Sequence, residues 1–161
     1  MDDYQHQLAE WRTLVGTVIL SFGEIELITL KCLAHLPTDN IYESTSTLPF
    51  GRRVDLIIEI LQGCGNKPNA ATALIEKLKQ AKSLSEYRNL LAHNPLVADI
   101  YVHQITGDVV VEHGISSARK KEKSIDLASL KELAGEVEDL ASELYMTLGK
   151  IVEAIDQSER K

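Results

Sequence analysis

A mostly helical bundle carrying one small β-hairpin is the fold this chain predicts. Three observations predict it. Long stretches repeat apolar residues at steps of three and four, the period of one buried helix face. The stretch at about 97–113 switches to a period of two and is rich in β-branched residues. Proline and glycine clusters separate these blocks. The expected class is all-α, with four to five helices and the hairpin inserted before the last long helix. Residues 1–161 suffice for a single domain with its own core.

The first helix is marked by Leu8, Trp11, Val15, Val18, Phe22, Ile25, Thr29, Cys32 and Leu36, one continuous stripe. A second apolar set, Leu14, Leu20, Leu27 and Leu30, widens that face. A helix covered on two sides sits inside a bundle or across a dimer interface. Pro37 ends it, and "PTDNIYESTSTLPFG" reads as a polar connection. The second helix is short, Arg52 to Gln62, and "GCGNKP" stops it. Pro68 and Asn69 open the third helix, which runs to about His93.

Beyond Pro95, "LVADIYVHQ" and "VVVEHG" alternate as strands, with a turn at Thr106-Gly107-Asp108. Residues 116–125 fit a loop or a short third strand. Asp126 is a good N-cap for the last helix, with Ile125 and Leu130 as a hydrophobic staple. Leu130, Leu133, Val137, Leu140, Leu144, Leu148 and Ile151 carry its stripe to about Ile155, and "DQSERK" is expected to fray.

Composition narrows the function classes. The net charge of −7 opposes indiscriminate binding to a phosphate backbone. The basic run "ARKKEK", residues 118–123, reads as a solvated segment. Cys32 and Cys64 form no CxxC and have no zinc spacing to a nearby histidine, so neither metal nor cofactor is expected. Free thiols and an acidic, polar start point to the cytoplasm. Leu14 to Leu36 is apolar, but Glu24, Glu26 and Lys31 make a membrane span costly, so no membrane is expected.

The third helix ends in "SEYRNLLAHNP", residues 85–95. At 100° per residue, Leu74, Leu78, Ala81 and Ala92 share a buried stripe, and Arg88 falls on it. Asn89 and His93, four apart, stack on one flank of the stripe, with Ser85 four residues earlier in the same row. A cation taken from water needs a partner, and Glu26 on the first helix is the natural one. On packing alone, Arg88 and Glu26 set helix register and His93 meets the helix dipole. Read chemically, imidazole moves protons near neutral pH, and guanidinium holds phosphate and stays charged. These groups suffice to cleave RNA without a metal, and a two-fold dimer would supply the second histidine. Arg52 and Arg53, opening the second helix, are candidate phosphate contacts. His103 and His113 flank the hairpin and read as strand residues.

"RNLLAH" resembles the Rx4–6H signature of the HEPN superfamily. The long first helix with "FGEIEL", the short second helix and the helix ending in "YRNLLAHNP" resemble its small stand-alone bacterial members. The resemblance implies a HEPN-like helical bundle and a homodimer with paired motifs lining a cleft. It also implies a metal-independent endoribonuclease of a toxin–antitoxin or anti-phage defence system, with an antitoxin or defence protein as partner. Arg88, Asn89 and His93 would be catalytic, with Glu26 and Ser85 in support. Some members carry a tyrosine two residues after the histidine; here that position is Pro95, so regulation through such a tyrosine is not implied. The alternatives are a non-catalytic dimer binding RNA, a nucleotide or a partner protein, and a purely structural bundle.

Overall fold

The computed structural model describes residues 2–36, 41–63, 69–102, 104–117 and 123–159, with backbone alone at 2, 3, 156, 158 and 159. Pro37, Cys64, Pro68, His103 and residues 118–122 of the basic run lie outside the described residues. Among the described residues there are five helices: α1 (Asp2–His35), α2 (Tyr42–Thr45), α3 (Phe50–Gly63), α4 (Asn69–His93) and α5 (Leu127–Glu159). Three strands, β1 (Leu96–Val102), β2 (Val109–Ser116) and β3 (Ser124–Ile125), form one antiparallel sheet in the order β1-β2-β3 before α5. The fold is mostly helical with a small sheet, as the two periods predict.

The chain divides into two compact units, residues 1–19 with 86–136, and residues 20–85 with 137–161. The boundaries fall inside α1, α4 and α5, so each long helix contributes a stretch to each unit.

In the larger unit, apolar stripes of four helices make the core. Phe22, Ile25, Cys32, Val54, Ile57, Leu74, Leu78, Leu140 and Leu144 are fully buried or nearly so. Each such side chain contributes roughly 1.5–3 kcal/mol of burial. Phe22 meets Phe50 edge to face, ring centroids 6.4 Å apart. Burial pushes the Cys32 thiol up to about 12. Ion pairs join the exposed flanks, Lys82 Nζ to Asp55 Oδ1 at 2.5 Å and Lys77 to Glu143. The connection after α1 is not wholly irregular. The Ser44 and Thr45 hydroxyls donate to the Ile41 carbonyl at 2.9 and 2.7 Å and hold the single turn α2.

The first helix leaves its second apolar face, expected inside a bundle or across a dimer interface, partly uncovered. Its main stripe is buried, but Leu20 is 72% exposed and Leu27 52%. Periodicity marks an apolar face without saying whether the same chain covers it. By length and composition, Tyr4–His35 is apolar enough to cross a membrane, with a third of its window buried inside the protein.

In the smaller unit, Trp11, Leu90, Leu91, Ile115, Ile125, Leu130 and Leu133 are buried. The hairpin register runs from Leu96 opposite Ile115 to Val102 opposite Val109. Gly107 turns the chain at φ +76°, a conformation suited to glycine. The base of the sheet is covered, whereas Ile100, Val102, Ile105 and Val109 at its far end are exposed. Tyr101 donates its hydroxyl to Glu112, and that bond raises the tyrosine pKa. Residues 124–125 form the third strand, pairing Ile115 with Ile125. Asp126 Oδ1 accepts the Ser129 N–H at 2.7 Å, the expected N-cap, which lowers its carboxyl pKa. The last helix persists to Glu159, beyond the expected stop at Ile155.

Candidate functional site

The predicted site residues fall into two groups. Arg88, Asn89 and His93 belong to the smaller unit; Glu26, Arg52, Arg53 and Ser85 belong to the larger. Each group has its own geometry.

Arg88 is half-buried and its Nε is buried, as expected of a cation on an apolar stripe. Leu84 and Leu91, one turn to either side, are buried. Asn89 and His93 are exposed, one turn apart, with no hydrogen-bond or ion-pair partner among the described residues. The helix ends at His93, and Asn94 closes it by donating Nδ2 to the Leu90 carbonyl at 2.8 Å. Ala92, expected on the buried stripe, is exposed, while Leu90 and Leu91 are buried. The stripe shifts because residues from 86 onward belong to the smaller unit and meet other neighbours than the start of α4.

In the larger unit Arg53 is 8% exposed. Its Nε donates to Thr29 Oγ1 at 3.2 Å, Nη1 to the Leu48 carbonyl at 2.9 Å and the Ser46 carbonyl at 3.4 Å, and Nη2 to Glu26 Oε2 at 3.5 Å. The expectation of an open phosphate contact at Arg53 is therefore corrected. Its fork is matched by fixed acceptors, two of them main-chain carbonyls. The sequence signal was present: Arg53 follows Phe50 by three and precedes Ile57 by four, inside the α3 stripe. The stripe test that flagged Arg88 flags Arg53 equally.

Arg52, next in line, is exposed and without a partner among the described residues. It lines a cavity of about 500 Å³ with Lys79, Lys82, Asp55 and Glu59. The Ser85 hydroxyl donates to the Lys82 carbonyl at 2.7 Å, inside its own helix. His113 lies opposite Ala98 in the hairpin and packs its ring against Tyr4 at 5.9 Å. Among the described residues, no group of three or more His, Cys, Asp or Glu gathers to hold a metal.

Chemically, the end of α4 offers an exposed imidazole, an exposed amide and a half-buried guanidinium within two turns. That set can accept a proton, orient an oxygen and neutralise phosphate charge. Comparison of the chain with models of known families, with curated proteins and with solved structures finds no match.

Proposed function

We propose that this protein is a metal-independent endoribonuclease of HEPN type, acting as a homodimer in the cytoplasm within a toxin–antitoxin or anti-phage defence system. The observation that carries the reading is the exposed Asn89–His93 pair, without a partner among the described residues, on the turn that carries Arg88. Surface amides and imidazoles at a helix end are common, but an arginine on the buried stripe beside them is not.

In this reading His93 takes the proton of a ribose 2′-hydroxyl. The 2′-oxygen then bonds to phosphorus and the bond to the 5′-oxygen breaks. The leaving oxygen takes its proton from the second protomer's histidine, giving a 2′,3′-cyclic phosphate and a 5′-hydroxyl. Arg88 stabilises the charge that grows on the phosphoryl oxygens, and Asn89 orients the phosphate.

A homodimer is supported by the larger unit. Leu20, Leu27, Tyr145 and Met146 are all more than half exposed. Glu24 and Lys31 flank Leu27 on the same face, with Lys31 Nζ 5.1 Å from the centre of the Tyr145 ring. An antiparallel two-fold pairing centred between Leu27 and Ile28 sets Glu24 of one copy against Lys31 of the other.

A second reading is a non-catalytic dimer that binds RNA, a nucleotide or a partner protein, and the net charge of −7 favours the partner protein among these ligands. RNA cleavage in EDTA by the wild type and by His93→Ala separates the two. Metal-independent cleavage lost in the variant supports the enzyme, and its absence in both supports the binder.

A further inference from the structure

The smaller unit holds a cavity of about 440 Å³ that the proposed chemistry does not use. Its volume lies in the range of about 300–1,000 Å³ typical of small-ligand sites. Trp11, Leu91 and Ile115, all at least nine-tenths buried, supply an apolar lining. Tyr4, Arg12, Asn94 and His113 supply polar groups. The sequence scatters these residues over α1, α4, β1 and β2, and only the topology collects them.

Three features define what fits. Aromatic surface is concentrated here: Trp11 lines the cavity, and Tyr4 and His113 form a tilted ring pair beside it. Charge is one-sided among the described residues: no carboxylate of theirs lines the cavity, and the Arg12 guanidinium has no partner among them. The Trp11 indole Nε1–H is buried and meets no acceptor among the described residues, which is rare for a buried donor. On a chain of net charge −7, a cavity whose one fixed charge among the described residues is positive favours an anion. Aromatic and apolar walls select a flat ring.

We infer that this cavity binds a flat aromatic ring carrying an anionic group, a nucleotide held by its base against Trp11 and by its phosphate against Arg12. The choice of a nucleotide rests on the RNA reading above. Leu91 lines the cavity one turn beyond Arg88 on the same helix face, so a nucleotide here continues the strand presented to the α4 end. The source is an unstacked nucleotide of single-stranded RNA or a free mononucleotide.

Trp11 is the chain's single tryptophan, so its fluorescence reports occupancy without any need for cleavage. The full-length protein is titrated with a 2′-O-methyl RNA hexanucleotide, which lacks the attacking hydroxyl, and separately with adenosine 3′-monophosphate. The expected result is saturable quenching that weakens 10-fold or more in Arg12→Ala and in Tyr4→Ala, both surface substitutions. A hexanucleotide that binds 10-fold tighter than the mononucleotide assigns the site to RNA, and equal binding assigns it to a free nucleotide. No quenching by either probe, or quenching untouched by both substitutions, overturns the inference. Binding here without RNA cleavage removes the catalytic reading alone; cleavage without binding here removes this inference alone.

Discussion

Two arginines on buried stripes meet different fates. Arg53 on α3 is enclosed and donates to one hydroxyl, two carbonyls and one carboxylate. Arg88 on α4 is half-buried and stands beside an amide and an imidazole that are exposed and without a partner among the described residues. The first environment is what a structural cation requires, because a buried fork needs its acceptors fixed. The second leaves polar groups available to something outside the chain. Position on a stripe therefore identifies an unusual cation, and the state of its neighbours separates packing from chemistry.

The comparison is sharpest in stability. Arg53→Met leaves the Leu48 carbonyl and Glu26 without this donor and should cost roughly 2–4 kcal/mol in chemical denaturation. Arg88→Met should cost less. Equal losses would erase the distinction between the two arginines.

A smaller effect concerns the exposed face of the larger unit. Leu20→Glu with Leu27→Glu places acidic groups on a surface that the chain itself does not cover. The melting behaviour of the monomer should stay within about 0.5 kcal/mol. The dimer, measured by light scattering, should weaken by about 10-fold or more. Loss of folding instead would mean that the face belongs to the protein's own core.

The smallest effect near neutral pH belongs to Cys32. Its thiol pKa is pushed up from 9.0 to about 12, so the folded protein keeps the proton that the unfolded chain loses. That contribution is fully present below about pH 9 and declines toward pH 12, by up to about 1.4 kcal/mol per pH unit. In a Cys64→Ser background, a thiol reagent at pH 8 should label the protein only as fast as it unfolds. Rapid labelling would place Cys32 nearer the surface than its burial indicates.

Much of this molecule was legible in its residues. The helical period located α1, α3, α4 and α5, the switch to a period of two located β1 and β2, and Asp126 marked the start of α5. These are local signals, and a local signal survives folding when the chain's own neighbours enforce it. What escaped depended on partners distant in sequence. Arg53 needed Thr29 and Glu26, 24 and 27 residues earlier, to become structural. The apolar row at Leu20 and Leu27 fitted a bundle interior or a dimer interface alike, because periodicity does not record who covers a face. The cavity beside Trp11 could not be foreseen, because His113 reaches it only through the hairpin register. The candidate site at the end of α4 lies between these cases. Its residue types and spacing are local, whereas its exposure had to be seen.

The most direct test takes wild-type protein and His93→Ala, matched by melting temperature and oligomeric state, and incubates each with cellular RNA in EDTA. His93 is exposed and without a partner among the described residues, so the substitution should leave the fold intact. The account predicts cleavage by the wild type leaving cyclic-phosphate ends, reduced at least about 100-fold in the variant, the scale of a general acid–base group. Equal cleavage by both proteins would contradict it and return the end of α4 to a plain helix terminus.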